Sequence, residues 1–511
     1  MAIAYRLIRK ALVFFCLSSY VQANYHSWQT IQNKAQYAIV QIINHHLEID
    51  DLVPFRRDGS EGRGSGFIIE NGYILTNFHV VRNCIRVFMQ MPLFFGQHRF
   101  ELDLVGIAPE FDLALLKIKD EDQRDIVAYY GSLPFLALGD SDNIKKSDEL
   151  LGIGFPLGET SPKSATGIVS GYQTIMIPPS KIYAIQVTKP TNPGNSGGPL
   201  LDTQGDVVGI DVAIPGMPTN SIAYAIPIND FKIVEAQLKQ GELVEKTYFG
   251  CSYCCAKGNE LAEILGNPIP AGCYITRVFD DGLMQEWGIQ QGDMLYRING
   301  LVIDPFASII LKENDERKPF ADYVLSFPLG SYFTLELYRS GQRIEQQVQL
   351  VFKRDLPIAW RYVDYHVDYE IIGGLLIQEL SLNVMQAFSK AAPQIHAKLY
   401  NYQEDEKKRK DPVLVVTQVL AGSLAAEARV IGVGELINQV NGITVTTLAE
   451  LRKALITSDN NFVTMTNRDE DLIVLNKAEV CAQEPHLARY FGYTTTPGMQ
   501  SLLQYYTHKR K

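Results

Sequence analysis

The sequence predicts a mainly β chain, with a first domain of barrel or sandwich type and two copies of a smaller module after it. Three observations carry this expectation. Between about Gln36 and Ile228, short apolar runs such as "AIVQIIN", "GSGFIIENGYILTN", "LALLKI", "ATGIVSGYQTIMI" and "GDVVGIDVAI" alternate with turn residues. Many short strands with little helical periodicity between them form barrels or sandwiches. Further on, "GDMLYRINGLVI" (Gly292–Ile303) is echoed by "GELINQVNGITV" (Gly434–Val445), and each follows a similar strand, "ITRV" (Ile275–Val278) or "VTQV" (Val416–Val419). At 511 residues the chain also exceeds what one core serves, and about three domains is the natural division.

Taken in order, the N-terminus reads as an export signal over residues 1–23. Arg6, Arg9 and Lys10 precede the apolar run Ala11–Val21, and Val21, Gln22 and Ala23 offer a peptidase site that would leave Asn24 first. An uncleaved anchor is the alternative, but the run is shorter than the ~20 residues a span needs. No later segment is apolar enough to cross a bilayer, so no stable membrane span is expected. The first domain, 24–243, closes with a helix over "NDFKIVEAQLKQGEL" (Asn229–Leu243). The polar stretch "NHHLEIDD" (Asn44–Asp51) is expected as a surface loop between the first two strands, with metal binding a secondary reading. The modules span 244–353 and 365–490. The charged run "YQEDEKKRKD" (Tyr402–Asp411) in the second is expected as a solvated hairpin tip, and 491–511 as a tail.

Composition narrows the function classes. Hydrophobic residues make up 46% and charged residues 20%, which is ordinary globular material. A net charge of −10 without a basic stripe excludes nucleic acid as the expected partner. "CSYCC" (Cys251–Cys255) contains a CxxC without a second pair at zinc-ribbon spacing, which favours buried thiols or a single disulfide.

The chemistry concentrates in "TNPGNSGGPL" (Thr191–Leu200). Glycines around Ser196 let backbone N–H groups approach whatever its hydroxyl touches. A serine nucleophile needs a base and a third group to orient that base. Of nine histidines, only His79, in "YILTNFHVV", stands at a strand end among small turn residues. Asp112, in "FDLALLKI", directly precedes an apolar strand, where a carboxylate needs a partner. The order His79, Asp112, Ser196 is that of the chymotrypsin arrangement. Singly, a strand-end histidine and a strand-capping aspartate have structural readings; together with GNSGGP they point to nucleophilic catalysis. "EGRGSG" (Glu61–Gly66) is no phosphate loop, since a strand rather than a helix follows it.

"GSGFII", "TNFHVV", "FDLALLKI" and "NPGNSGGPL" together resemble the HtrA/Deg family of trypsin-like serine proteases. The repeats resemble its PDZ domains. "YFGC" (Tyr248–Cys251) stands where that family has its carboxylate-binding loop, and "WGIQQGDMLYRINGLVI" matches its "AGL-x-x-GD" segment. The resemblance runs from about Gln36 to Cys481, and the second repeat, with "IIGGLLIQEL" (Ile371–Leu380), is more similar to the divergent second PDZ domain of plant-type members. It implies a chymotrypsin-like double β-barrel followed by two PDZ-like domains. It also implies nucleophile Ser196, base His79 and orienting Asp112, with an oxyanion hole from the backbone of Gly194, Asn195 and Ser196. In the implied fold a substrate pocket is lined by Ile222, Ala223 and Tyr224, and a PDZ carboxylate loop is formed by Tyr248, Phe249, Gly250 and Cys251.

Digestive trypsins carry Asp before the nucleophile, and it pairs with a newly cut N-terminus. Here Asn195 has no charge, so loop rearrangement rather than clipping is the expected activation. The chain departs from the family pattern at Phe78, before the histidine, and at Lys189 and Pro190, in the loop feeding the oxyanion hole. Lys189 is expected near the pocket, where it would repel basic side chains. The implied activity is an exported, periplasmic or equivalent, serine endopeptidase that degrades unfolded or damaged proteins. No Walker motif is present, so no ATP is expected, and no cofactor or metal. Unfolded polypeptides and free C-termini are the implied partners, with assembly as a trimer or multiple of three. The competing reading is a non-catalytic chaperone or scaffold that binds unfolded chains through its PDZ domains.

Overall fold

The computed structural model describes residues 28–509 except 92–95, 97, 214–220, 255–257, 312–315, 355, 363–366, 406–407 and 459. The expected signal segment, Cys16 and Cys255 lie outside the described residues. By packing, the chain divides into two units: Met1–His46 with Glu61–Arg354, and Leu47–Ser60 with Asp355–Lys511.

The first unit opens with two closed six-stranded barrels. Strands β1 (Ile39–Ile49), β2 (Arg57–Ile68), β3 (Tyr73–Thr76), β4 (Cys84–Gln90), β5 (Phe100–Ala108) and β6 (Leu113–Ile118) close in the order β1-β2-β3-β6-β5-β4. Strands β7 (Glu149–Gly154), β8 (Lys163–Ile177), β9 (Ser180–Thr188), β10 (Pro199–Leu201), β11 (Val207–Val212) and β12 (Ala223–Pro227) close in the order β10-β11-β12-β9-β8-β7. Closure removes the exposed edges that separate strands would leave. Along β6 every residue but Lys117 is buried, as its unbroken apolar run requires.

The helix Ile228–Lys239 turns Ile228, Phe231, Val234 and Leu238 inward, the spacing of one helix face. It stops short of Leu243 because Gly241, at φ +82°, follows the cap. Two expectations are corrected. Asn44 to Ile49 lie within β1 rather than in a loop, and Asn44 is buried with its side-chain amide donating to Arg82 O. A helix also forms over Asp120–Tyr130. Only Ile126 in it is buried, so it lacks the apolar stripe that marks a helix in sequence, although Asp120, Glu121 and Asp122 sit at its first turn, where acids suit the helix dipole.

After the barrels comes a sheet whose main path runs from Cys251–Cys254 through Cys273–Val278, Met294–Ile298 and Tyr332–Arg339 to Gln342–Gln349. In the second unit the corresponding strands Leu414–Val419, Leu436–Val440 and Phe462–Asn467 repeat its centre. The two repeat motifs make the same turn. Asn299 and Gly300 have φ +49° and +79°, and Asn441 and Gly442 have φ +51° and +78°. Two successive positive φ values make the tight hairpin turn for which Asn-Gly is best suited. Each Asn side chain then accepts a backbone N–H from the neighbouring strand, Thr334 at 2.9 Å or Thr464 at 3.0 Å.

In the second unit the strand Leu375–Glu379 is paired on both sides, by Glu370–Ile372 and by Leu414–Val419. Residues 491–511, expected as a tail, instead contribute the helix Pro497–Lys509, whose Met499 and Leu502 are fully buried beside Leu451 and Leu455. The expected hairpin tip is corrected too. Tyr402 belongs to the helix Pro393–Glu404, and Arg409 is buried. Residues 47–60 complete this core. Val53 packs with Ile371, Leu376, Leu487 and Tyr493, and the Phe55 ring lies 5.5 Å from that of Tyr493. No helix among the described residues is long and apolar enough to cross a membrane.

Candidate active site

A single helical turn, Phe78–Val81, follows β3 and carries His79. Asp112 follows the turn Pro109–Phe111 in the left-handed region (φ +53°), a conformation Asp tolerates better than most residues. Asp112 meets residues 77–79 at four points, two of them on His79 itself. His79 Nδ1 lies 2.8 Å from Asp112 Oδ2, and the His79 backbone N–H donates to Asp112 Oδ1 at 2.9 Å. Asp112 O accepts from the Phe78 N–H at 3.0 Å and from the Asn77 side-chain amide at 3.2 Å. Asp112 is 1% exposed and the imidazole 31%. Burial works against the histidine's charge, but the field and hydrogen bond of the Asp112 carboxylate outweigh it and hold its pKa above the ordinary value.

Ser196 sits in the loop between β9 and β10 and is 5% exposed. Its Oγ accepts the Ala213 N–H at 3.0 Å, and among the described residues no hydrogen bond joins it to His79. The loop is crowded where it lacks side chains. A Cβ on Gly194 would collide with Phe155 O, and one on Gly197 with Ser65 O. The Asn195 N–H donates to Asn192 O at 3.1 Å, so it is engaged within the loop in this structure. The N–H groups of Gly194 and Ser196 have no acceptor among the described residues.

Two features were not read from the sequence. Ser65, in "GSGF", ties the first barrel to the serine loop. Its hydroxyl donates to Gly194 O at 2.6 Å and accepts from the Phe155 N–H at 2.9 Å, while its backbone N–H donates to Ser196 O at 2.8 Å. Only the small residues flanking it hinted at such close packing. Lys189 is corrected as well. It does not stand open to repel a basic substrate but is buried, with Nζ 2.7 Å from Asp211 Oδ2. A buried ammonium needs a counter-charge, and the sequence does not say which carboxylate supplies it.

Of the expected pocket residues, Ala223 and Tyr224 are buried on β12 and Ile222 immediately precedes it. In the carboxylate-loop segment, Gly250 (φ +69°) passes so close to Gly282 that no side chain fits, and Phe249 packs edge-on to Trp287 and Phe320. The carbonyls of Tyr248, Phe249 and Gly250 are taken by the N–H groups of Leu283, Met284 and Phe279. The N–H groups of Phe249 and Gly250 have no acceptor among the described residues. The five described cysteines are free thiols, and burial pushes those of Cys84 and Cys251 up to about 11, away from reactivity.

Residues 64–210 match the family described as a trypsin-like peptidase domain, and residues 359–492 match the family described as a PDZ domain. Barrels, site and matches thus define the class: a trypsin-like peptidase domain joined to PDZ structure. Relatives agree. The chain is 31% identical over 309 residues to a probable periplasmic serine endoprotease, DegP-like, of Pseudomonas fluorescens (strain Pf-5), covering 60% of each. It is 35% identical over 291 residues to the protein so named in Pseudomonas fulva (strain 12-X), covering 56% of this chain and 55% of that one. Its length thus spans little more than half of these two relatives. Against the solved HtrA-type protease AlgW with a decapeptide, identity is 26%, coverage 64% of this chain and 98% of that one, and the TM-score 0.47. The matched domains and these relatives support an HtrA/Deg-type protease.

Proposed function

We propose that the chain is an extracytoplasmic serine endopeptidase that cuts unfolded polypeptides without ATP. The observation that carries this reading is the 2.8 Å contact of His79 Nδ1 with Asp112 Oδ2. It fixes the proton on Nδ1 and leaves Nε2 as the basic nitrogen. Ser196 Oγ then turns from the Ala213 N–H to His79 Nε2, gives up its proton and attacks the scissile carbonyl. The N–H groups of Gly194 and Ser196 hold the oxyanion, and His79 returns the proton to the leaving amine. A polypeptide that is already unfolded needs no mechanical work before it is cut, so its own instability replaces ATP. The periplasmic naming of the relatives supports the compartment. Assembly as a trimer or multiple of three belongs to the same reading.

The first PDZ module is the proposed receptor for free C-termini. Its strand Cys251–Cys254 pairs only with Cys273–Val278 among the described strands, which leaves one edge for a peptide to extend. The N–H groups of Phe249 and Gly250 are suited to the terminal carboxylate.

A second reading, a binding scaffold without cleavage, draws on the Ser196 hydroxyl being held by Ala213 rather than by His79. One experiment separates the two: degradation of casein by the wild type beside Ser196→Ala. Loss of all cleavage in the variant supports the peptidase. Equal cleavage by both, with contaminants excluded, or none by either, removes it.

A further inference from the structure

Lys189 opens the serine loop, and Asp211 stands on a strand that is hydrogen-bonded to that loop. Lys189 is the first residue after β9, and Asp211 lies in β11. Backbone bonds bring β11 against the loop. The Gly197 N–H donates to Asp211 O at 2.9 Å, the Asp211 N–H to Gly198 O at 2.8 Å, and two residues on Ala213 N–H holds Ser196 Oγ. The ion pair itself is enclosed, with side chains 2% and 3% exposed. The barrel wall is shaped around it. A Cβ on Gly152 would come within 2.8 Å of Asp211 Oδ2 and 2.9 Å of Lys189 Nζ, and one on Gly167 within 2.7 Å of Lys189 Cβ. The other oxygen, Asp211 Oδ1, is buried with no hydrogen-bond partner, so the carboxylate depends on Lys189. Burial accordingly raises the Asp211 pKa, against the pull of Lys189.

We propose that the Lys189–Asp211 pair is a positioning device for the nucleophile loop, an ion pair internal to the chain that ties residues 189–197 to β11 and so aims the Gly194 and Ser196 N–H groups. It takes over the task that digestive trypsins give to a carboxylate beside the nucleophile and a cut N-terminus, a task Asn195 cannot perform. The proposal rests on the peptidase reading above. A pair at this depth is weak evidence of added stability, because apolar residues of similar volume often replace buried ions without loss. Its placement between the start of the loop and the strand bonded to the loop's end gives it a positional role instead.

The test uses the full chain and three proteins: wild type, Lys189→Met, and the double variant Lys189→Met/Asp211→Leu. Each is assayed on a small chromogenic peptide for kcat and KM, and melted in parallel. Lys189→Met strands a buried carboxylate and is prone to misfolding, so the double variant is decisive. It should melt within a few degrees of wild type while kcat falls about 100-fold, the scale of losing an aligned oxyanion donor, with KM little changed. A double variant that is folded and fully active overturns the proposal, and so does a fall confined to KM. Absence of Ser196-dependent turnover in the wild type is a separate result; it removes the peptidase reading and this proposal with it.

Discussion

One carboxylate, that of Asp112, holds both the backbone and the ring of His79, its two oxygens lying 2.9 Å from the N–H and 2.8 Å from Nδ1. The imidazole therefore has neither rotational nor tautomeric freedom. Its folded pKa is raised above 6.5, so the protonated pair adds stability that is complete below the unfolded value and lost as pH rises through the folded one. Proton abstraction needs the neutral ring. Activity should thus appear over the window in which that stability disappears, with the acid limb of kcat/KM against pH centred above 6.5. Asp112→Asn should move the limb downward and lower kcat by about 10⁴-fold, the size of this change in the serine–histidine–aspartate template. An unmoved limb would show that another group titrates.

Ser65→Ala should leave a buried Phe155 N–H without its acceptor and Gly194 O without its donor. The expected loss is about 1–3 kcal/mol in urea unfolding, with kcat reduced more than KM because Gly194 is released. A variant as stable and active as wild type would reduce Ser65 to a bystander.

Cleavage should follow small or medium apolar side chains, chiefly Val, Ala, Ile and Leu. Ala223 and Tyr224 line β12, and Asp211, the nearby carboxylate, is already neutralised by Lys189. A mass-spectrometric map of cut sites decides this. Dominance of Lys or Arg before the cut would refute it.

A peptide with an apolar C-terminal residue and a free carboxylate should raise activity on a small chromogenic substrate, and its C-terminal amide should not. Gly250→Val should abolish the difference, because a side chain there strikes Gly282. Equal effects from acid and amide would end the carboxylate assignment.

In the second unit, burial raises the Glu484 pKa to about 7, with Tyr493 OH donating to it at 3.1 Å. Its unfolded value is lower, so the stability it contributes is present in acid and lost as pH rises toward 7 and beyond. The loss should be on the order of 3 kcal/mol by pH 8. Hydrogen-exchange protection of the Lys477–Phe491 helix should fall over that range in wild type and stay level in Glu484→Gln.

How much of this was legible depended on the range of the interaction. The repeat that carries the Asn-Gly turns at 299–300 and 441–442 was readable because both copies keep the same short local pattern. The chain order of His79, Asp112 and Ser196 was readable because "GNSGGP" restricts the fold around it. The Lys189–Asp211 pair was not, since 22 residues separate the partners and the chain holds 57 acids to choose among. The Asp120–Tyr130 helix escaped because it buries one residue, and the Pro497–Lys509 helix because its burial is created by distant strands.

The packing of residues 47–60 has a consequence for the order of folding. Phe55 leaves the ribosome more than 300 residues ahead of Tyr369 and Tyr493, the rings it meets. At the usual pace of synthesis, about 5–20 residues per second, that hairpin waits for at least a quarter of a minute with its apolar side chains uncovered. A domain made late is thus finished by a segment made well before it, and a nascent chain halted before residue 369 carries an adhesive tip with no cognate surface of its own.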